Sequence, residues 1–387
     1  MKPLSFLCLS MEYKGASFLT TLKSLGHRVF LLTEEATRHE PWPRESIDEI
    51  FYTPKNRASP HDRQELINGT AWLMREHGID RIVALDDFDV EDAALLREEF
   101  RLPGMGQTTA RHFRDKLAMR MLAEEHGIAV PGFSNLFNLE SLRRFCESST
   151  GPWVIKPRSE ASAAGITKVA TAEEAVAHYR SLGEQAYTYL IEEFAPGKVY
   201  HVDALVDRGT VAFARSSAYA DPPLEIVQGG GLFQTRMLPE GSEDADELTR
   251  LTGEVMRAFG MRYSASHTEW IRNAAGEFLL LETASRVGGA YISNMVMHAT
   301  GVDLWAEWAR LEVVQLDHSA YEAPESRPGI GAVTIRAVGE PNPVVKGFDE
   351  GCVAEQLHKP YHVGRVFAGG SVEEVQAAQE RFARALA

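Results

Sequence analysis

The chain contains 387 residues with a formal net charge of −15 at pH 7; 44% of the residues are hydrophobic and 25% are charged. This length predicts two or three domains, and the composition is typical of a globular protein with a large buried core. The negative charge argues against non-specific binding to nucleic acid or to an anionic membrane, but cationic groups in a small pocket can still bind an anionic nucleotide.

The cysteines and the N-terminus predict a cytoplasmic protein. Cys8, Cys146 and Cys352 are far apart in the sequence and lack the spacing of a metal site, which is typical of a reducing compartment. The apolar run at the N-terminus is only about eight residues long before it meets Glu12, which is too short for a signal peptide or a membrane span. We therefore expect a core strand there.

The first hundred residues alternate between strands and helices, which predicts βαβ units and a parallel sheet. The predicted elements are strand 4–10, helix 16–25, strand 28–33, helix 65–77, strand 81–85 and helix 89–100. No strand is followed by the G-x-G-x-x-G fingerprint, which argues against a nicotinamide dehydrogenase. Gly104 and Gly106 follow Pro103 and predict a turn.

The rest of the chain mixes helices with antiparallel strands. The predicted elements are helix 109–126, strand 153–157, helix 172–182, strand 187–193, paired strands 199–206 and 210–216, helix 248–259 and a helix from 301 to about 314. The segment 220–231 is rich in proline and glycine and predicts a mobile loop. The last 60 or so residues predict another small α/β unit.

Two lysines, a loop and two acids precede the most informative segment. Lys116 lies in the predicted helix motif RDKLAM, where a solvated lysine is the ordinary role. Lys156 lies in WVIKPR, inside an apolar strand, where an ammonium group needs an anion to offset its desolvation. The small residues of loop 159–165 let backbone N–H groups approach an anion, with a surface turn as the alternative. Strand YLIEEF ends in Glu192 and Glu193, which either face solvent or line an adenine-binding hinge.

The segment 266–290 predicts a β-hairpin, with strands 263–271 and 277–283, that places two carboxylates on one face. A four-residue turn pairs Arg272 with Glu277 and leaves Glu269 diagonal to Glu282, whereas a two-residue turn places Glu269 opposite Glu282. Both registers put the two carboxylates on the same face. Like charges across strands destabilise a sheet, so we expect a hard cation, Mg²⁺ or Mn²⁺, between them; two solvated surface glutamates are the alternative.

The order of these features resembles the ATP-grasp superfamily, and specifically its carboxylate–amine ligase branch, which includes bacterial L-amino acid ligases. More distantly, the chain is similar to biotin carboxylase and D-alanine–D-alanine ligase. The motifs that carry the resemblance are VIKP, IEEF, HTEW and ETASRVGG, and the tail GRVFAGGSVEEVQAAQERF resembles the C-terminal unit of the same enzymes. The resemblance implies a mixed α/β fold: a parallel-sheet α/β domain over 1–109, a two-lobed ATP-grasp domain over 110–310 with a lid at about 120–190, and a small α/β unit over 311–387.

The resemblance also implies roles for single residues. Lys116 and Lys156 would contact the α- and β-phosphates of ATP, and Glu269 and Glu282 would bind the Mg²⁺ or Mn²⁺ ion. Arg286, with Lys156, would be catalytic and would stabilise the transferring phosphoryl group. The remaining implied residues are Ser162, Ala163, Ala164 and Gly165 in the lid loop, Glu192, Glu193, Phe194 and His201 around adenine and ribose, and Gly288 and Gly289 at the substrate acid.

Two positions depart from the family pattern. Ala284 stands where the family often has an asparagine that binds a further metal ion. Lys198 follows the hinge glycine, where the family often has an acid, so ribose recognition would pass to His201 or Asp203. Substrate specificity is expected in the region 201–236 and after Gly289. The candidates for that pocket are Arg215, Arg236, Tyr291 and Asn294.

The implied function is an ATP-dependent ligase that joins a small carboxylate, such as an amino acid, to an amine through an acyl phosphate. One alternative is a ligase with a thiol or bicarbonate acceptor. Another is a non-catalytic nucleotide-binding regulator, which Ala284 favours. The expected partners are small-molecule substrates and, by family analogy, a second copy of the chain, with no nucleic acid and no membrane.

Overall fold

The computed structural model describes residues 2–53, 60–161, 164–341 and 352–386. Among these residues, no helix is both long and apolar enough to cross a bilayer. Three sheets organise the described chain: a parallel sheet of four strands near the N-terminus, an antiparallel sheet of four strands, and an antiparallel sheet of eight strands. The predicted mixture of parallel and antiparallel α/β structure is confirmed.

The N-terminal region forms the predicted parallel sheet. Its elements are β1 Ser5–Leu9, α1 Ala16–Ser24, β2 Arg28–Glu34, β3 Glu49–Thr53, α2 Pro60–His77, β4 Arg81–Ala84 and α3 Val90–Glu99. The strand order is β3-β2-β1-β4, and every neighbouring pair is parallel. Because β1 lies between β2 and β4, all of its side chains are buried. Asp86 and Asp87 follow the carboxyl end of β4, and Asp87 contacts Arg286 of the C-terminal part of the chain.

The predicted helix 109–126 is wrong in one respect, because the chain breaks it in two. Helix α4 spans Gln107–Arg111 and helix α5 spans Lys116–Glu125. Asp115 ends the break: its carboxylate accepts the backbone N–H groups of Leu117 and Ala118 and so caps α5. The cap fixes Lys116 at the first position of α5, directed towards the lid.

The lid contains β5 Phe133–Asn135, α6 Leu139–Ser148, β6 Trp153–Pro157, β7 Thr167–Val169, α7 Ala172–Leu182 and β8 Tyr189–Glu193. Its antiparallel sheet has the order β5-β8-β6-β7. Trp153 and Ile155 of β6 and Ile191 of β8 pack against the lid helices. Since side chains alternate along a strand, Lys156 and Glu192 lie on the opposite face of this sheet.

The large sheet holds the rest of the described chain. Its elements, with the helices between them, are β9 Lys198–Asp207, β10 Thr210–Tyr219, α8 Pro223–Gly229, β11 Phe233–Met237, α9 Glu243–Ala258, β12 Ser264–Arg272, β13 Phe278–Ala284, α10 Ile292–Thr300, α11 Leu304–Asp317, β14 Ile330–Ala337, β15 Val353–Gln356, β16 His362–Gly369 and α12 Val372–Leu386. The strand order is β13-β12-β9-β10-β11-β14-β16-β15. The segment 220–231, predicted as a loop, contains the short helix α8.

Helices cover both faces of the large sheet. Val202 and Ala204 of β9 pack on one face against Leu248 and Val255 of α9. On the other face, Leu205 belongs to a core formed with α10 and α11. The strands after residue 311 hydrogen-bond into the same sheet as β9 to β13. The domain limits given above stay a prediction.

Candidate active site

A β-bulge places the two hairpin glutamates opposite each other. Both predicted registers are wrong at the turn, because Arg272 pairs with Phe278 and Trp270 with Leu280, which would continue to pair Glu269 with Leu281. The register shifts there, so that Glu269 lies opposite Glu282 and Leu281 is the extra residue. Without the bulge the two carboxylates would fall on opposite faces of the ribbon. With it, both line one cavity of about 520 Å³.

The side chain of Arg120 stabilises the bulge by a hydrogen bond to its backbone. A bulge leaves backbone groups outside the strand ladder, and these groups need other partners when buried. The Nη2 atom of Arg120 donates to the carbonyl oxygen of Leu281 at 2.6 Å. The same guanidinium forms an ion pair with Glu192, with 2.8 Å between Nε and Oε1. Arg120 is fully buried. Through these two contacts it links the lid sheet to the hairpin.

Both predicted lysines line the cavity, and each pairs with an acid. The Lys116 ammonium lies 2.8 Å from Oε2 of Glu282 and donates to the carbonyl oxygen of Glu160 at 2.7 Å. The Lys156 ammonium lies 2.7 Å from Oε2 of Glu192. Burial lowers the pKa of Lys156, Glu192 opposes this effect, and the nearby cations Arg120 and Lys116 add to it, so that the pKa is about 8.

The carboxyl groups of this region remain ionised because cations surround them. Burial alone would raise the pKa of Glu282, but Lys116, followed by Lys156 and Arg286, lowers it to about 2. Burial would likewise raise the pKa of Glu192, and Arg120 and Lys156 together lower it. Glu192 lines the cavity, but both of its oxygens face these two buried cations, so its predicted adenine contact stays a prediction. Its role in the structure is to hold Lys156 and Arg120.

The adjacent hinge presents backbone to the cavity. The side chain of Glu193 lies on the other face of the lid sheet, where it accepts the N–H of Thr150 at 3.3 Å and lies near Gly132. Glu193 also lines the cavity, and its predicted contact with the nucleotide stays a prediction. The ring of Phe194 lies 3.4 Å from the ammonium of Lys168, and both residues line the cavity.

His201 does not line the first cavity, which argues against the predicted ribose contact. It is fully buried, with Nδ1 2.7 Å from Asp203 and Nε2 2.7 Å from the hydroxyl of Thr235. Asp203 is equally buried and also binds Nδ1 of His267 at 2.9 Å. Neither His201 nor Asp203 is among the described residues that line the cavity.

The buried network ends at Glu269 of the hairpin. Burial would lower the pKa of His267, but the charge of Asp203 and its hydrogen bond raise it to about 10. The other ring nitrogen of His267 lies 3.7 Å from Glu269. Tyr219 donates its hydroxyl to the same carboxylate oxygen of Glu269 at 2.8 Å. Glu269 is thus held in place on two sides, by Tyr219 and by His267.

Arg286 is positioned by a residue from the N-terminal sheet. Its Nε donates to Oδ2 of Asp87 at 2.7 Å, and its Nη1 donates to the carbonyl oxygen of Val287 at 2.9 Å. Burial would lower the pKa of Arg286, and Asp87 raises it instead. Asp87 follows β4 and is itself nine-tenths buried. The sequence showed no sign of this contact, which joins residues 199 positions apart.

Some of the predicted lid and substrate residues line the cavity, and Gly288 serves close packing instead. Ala164 lines the cavity, and Gly165 has a φ of +70°, which favours glycine. Ser162 and Ala163 lie outside the described residues. Gly289 lines the cavity, whereas a Cβ at Gly288 would lie 2.4 Å from Asp203, so Gly288 serves close packing.

The predicted specificity residues lie elsewhere. Arg215 pairs with Glu240 at 3.1 Å, and Asn294 donates to Glu355 at 2.9 Å. Arg215, Arg236, Tyr291 and Asn294 are not among the described residues around the cavity. The lining opposite the lid is instead largely apolar. It includes Tyr219, Leu224, Ile226, Val227, Phe233 and Ile292.

The donor set of the hairpin fits a magnesium ion. Glu269 and Glu282 offer only carboxylate oxygens, the ligands that Mg²⁺ prefers, and they lie opposite each other on one face. No sulfur or imidazole ligand is needed to complete such a site, because Mg²⁺ keeps several waters and binds phosphate oxygens. His201, Asp203 and His267 also lie close together, but their mutual hydrogen bonds already satisfy them.

Comparisons with known proteins give relatives that are named as amino acid ligases. No family model matches the chain. The chain is 26% identical over 248 residues to the L-arginine-specific L-amino acid ligase of Bacillus subtilis, a match that covers 62% of this chain and 59% of that protein. It is 30% identical over 246 residues to the D-alanine–D-alanine ligase of Bordetella avium, covering 59% of this chain and 74% of that protein.

Two solved structures show the same fold along nearly the whole chain. The L-amino acid ligase from Bacillus licheniformis superposes with a TM-score of 0.72 at 17% identity and covers 99% of this chain and 98% of its own. The biotin carboxylase domain of 2-oxoglutarate carboxylase from Hydrogenobacter thermophilus, solved with MgADP and bicarbonate, has a TM-score of 0.70 at 18% identity and covers 100% and 90%. By its 30% identity across three quarters of a D-alanine–D-alanine ligase, and by this fold, the chain belongs to the ATP-grasp superfamily, in its carboxylate–amine ligase branch.

Proposed function

We propose that this protein is an ATP-dependent ligase that joins a small carboxylate, most simply an amino acid, to an amine and releases ADP and phosphate. One observation carries the proposal: the bulge that sets Glu269 opposite Glu282 on the wall of a cavity that Lys116, Lys156 and Arg286 also line. Carboxylates alone would repel a nucleotide, and lysines alone would bind any anion. Their combination fits a metal–triphosphate complex.

Different parts of the cavity wall would bind the phosphates, the adenine ring and the metal ion. Lys116 and Lys156 would bind the phosphates, and the hinge backbone around Phe194, with Leu281 from the bulge, would hold the adenine ring. Glu269 and Glu282 would hold Mg²⁺, which when bound supplies charge neutralisation to the phosphate oxygens. The role of Lys156 stays a proposal, as do those of the lid loop and of Gly289.

The chemistry would take place beside Arg286. A carboxylate oxygen of the acid attacks the γ-phosphorus as the bond to the ADP oxygen breaks, which gives an acyl phosphate. The amine nitrogen then attacks the acyl carbon, and phosphate leaves with the bonding electrons while the nitrogen loses a proton. Arg286, fixed by Asp87, would stabilise charge on the phosphoryl oxygens in both steps. Closure of the lid would exclude water from the acyl phosphate.

The test is substrate-dependent turnover by the whole chain. The protein with Mg-ATP would be offered amino acids and small carboxylates, singly and in pairs, while ADP release and ligated products are measured by a coupled assay and mass spectrometry. We expect ADP release that needs both an acid and an amine, and a product with the mass of their amide. Bound ATP without turnover for any pair would favour a regulator, and a thioester or carboxylated product would favour a different acceptor.

Two further expectations belong with this proposal. The substrates are small molecules, as for the named relatives, and the acid and amine remain to be identified by the screen. A homodimer and a cytoplasmic location stay predictions. Sedimentation of the purified chain at several concentrations tests the first, and localisation of a tagged copy in cells tests the second.

A further inference from the structure

A second cavity, of about 410 Å³, lies behind the candidate active site. The N-terminal region contributes Arg81, Arg97 and Gly104 to its wall, and helix α11 contributes Glu312 and Gln315. Within the described chain, its lining shares no residue with that of the first cavity. The two are nevertheless adjacent, because Ser285 lines the second cavity and the next residue, Arg286, lines the first.

The buried charges of the second cavity do not balance. Arg81 and Glu312 form a buried ion pair, with 2.5 Å between Nη2 and Oε2, and Trp308 donates to the other oxygen of Glu312 at 2.9 Å. Arg97 is equally buried but donates to two backbone carbonyl oxygens, those of Met105 and Ile82, both at 2.9 Å. In the part of the chain that the structure describes, no carboxylate forms an ion pair with Arg97.

Two local features support a ligand for this excess charge. Burial, followed by the charge of Arg81, lowers the pKa of Arg97 to about 9, and the more distant charges of Glu312 and Glu98 offset this only in part. The neighbouring acid Glu98 is bound by Gln107, whose backbone N–H and side-chain amide each donate to it at 2.8 Å. A buried cation is stable only when an anion or many dipoles offset its desolvation.

The cavity also contains an unpaired acceptor. The side-chain oxygen of Gln315 is buried and has no donor among the described residues. A buried acceptor without a donor costs free energy, so a ligand with an N–H or O–H group gains by supplying one. Gly104 packs closely against both arginines of the wall: a Cβ there would lie 2.2 Å from a guanidinium nitrogen of Arg81 and 2.8 Å from Cδ of Arg97.

We propose that the second cavity is a binding site for a small organic monocarboxylate that also carries an N–H or O–H donor. The carboxylate binds the guanidinium of Arg97, and the donor binds the side-chain oxygen of Gln315. Arg262 lies exposed at the wall of the same cavity and adds a cation for an entering anion. The volume suits a ligand larger than acetate, of the size of an acylated amino acid.

The test is calorimetric titration of the whole chain, without nucleotide, with N-acetylglycine as the probe and N-acetylglycinamide as the matched neutral control. We expect saturable binding of the acid and at least about tenfold weaker binding of the amide. Arg97→Leu is a poor first variant, because it removes two contacts that hold the fold. Gln315→Glu instead places a carboxylate in the cavity from a half-buried helix position, with Gln315→Leu as its uncharged control.

The variants separate this site from the active site. Gln315→Glu should weaken the acid at least about tenfold, and Gln315→Leu should weaken it less, while both keep the melting temperature of the parent. Arg286→Ala, which alters only the first cavity, should leave the affinity unchanged. Absence of saturable binding would overturn the proposal. So would binding that survives Gln315→Glu and disappears in Arg286→Ala, since the acid would then occupy the first cavity. Neither result depends on turnover, so the proposed ligase activity is tested separately.

Discussion

Replacement of Glu192 by glutamine tests whether this residue is a structural counterion or an adenine contact. The carboxylate is 2% exposed and lies 2.7 Å from the ammonium of Lys156 and 2.8 Å from Nε of Arg120. Glu192→Gln keeps the shape and removes the charge, so two buried cations lose their shared counterion. Removal of one partner from a buried ion pair typically costs about 3–5 kcal/mol.

The expected change can be stated as a shift in thermal stability. Unfolding entropy is about 2.1 cal/mol/K per residue, which gives roughly 0.8 kcal/mol/K for a chain of 387 residues. A loss of about 3–5 kcal/mol then lowers the melting temperature by about 4–6 °C. Differential scanning fluorimetry, confirmed by circular dichroism, measures this shift directly. Added Mg-ATP should restore part of it, because its phosphates supply negative charge beside Lys156.

The neighbouring glutamate supplies a matched control. Glu193→Gln makes the same chemical change one residue away, on the other face of the strand. Within the described chain, the side chain there accepts one hydrogen bond, from the Thr150 N–H at 3.3 Å. This variant should keep the melting temperature within about 1 °C. Equal stability of Glu192→Gln and Glu193→Gln would refute the ion-pair argument. If Glu192→Gln remained stable but lost its preference for ATP over GTP, the result would support a contact between Glu192 and adenine.

Three further predictions concern the catalytic groups. Glu282→Gln should lower Mg-dependent ADP release at least about a hundredfold and leave the circular dichroism spectrum unchanged. The reason is that a bound metal ion supplies several kcal/mol of charge stabilisation. An active variant would contradict the metal assignment. Asp87→Asn should lower kcat about tenfold or more with little change in the KM for ATP, because the substitution frees the side chain of Arg286. An unchanged kcat would show that Asp87 does not position Arg286. The pKa of about 8 at Lys156 predicts that ATP binding at pH 8.5 takes up a proton, because phosphate favours the charged amine. Calorimetry in two buffers of different ionisation enthalpy detects that uptake, and equal heats, or uptake that persists in Lys156→Met, would exclude Lys156 as its source.

The sequence predicted the elements whose pattern is local. The alternation of strands and helices before residue 100 follows from hydrophobic periodicity, as does the position of the hairpin. The break between α4 and α5 was missed because Phe113, Leu117 and Met121 have helical spacing. In the structure Met121 is 59% exposed, so that spacing did not mark one buried face, whereas the cap at Asp115 was the physical signal.

The features that the sequence did not predict depend on distant contacts. The bulge at Leu281 lies in the run FLLLETA, where continuous apolar residues hide the alternation that would reveal a shift in register. The pairing of Arg286 with Asp87 joins two sheets, and no pattern within either segment indicates it. His201 was assigned to the nucleotide by analogy alone, since its sequence position gives no information on whether Asp203 and Thr235 already satisfy its ring.

The charges of the first cavity predict that the proposed nucleotide would bind together with a metal ion. Each of its three principal cations has a carboxylate partner: Lys116 with Glu282, Lys156 with Glu192, and Arg286 with Asp87. A triphosphate without metal would therefore meet cations that are already compensated and would lie beside two further acidic oxygens. Glu269 and Glu282 would hold a divalent ion, whose charge would reverse this balance and leave Lys116 available to the phosphates. It follows that in the presence of a chelator Glu282→Gln should bind ATP at least as tightly as the parent chain, although it cannot use ATP in turnover. Weaker binding by that variant under the same conditions would mean that Glu282 attracts the nucleotide by some means other than a metal ion.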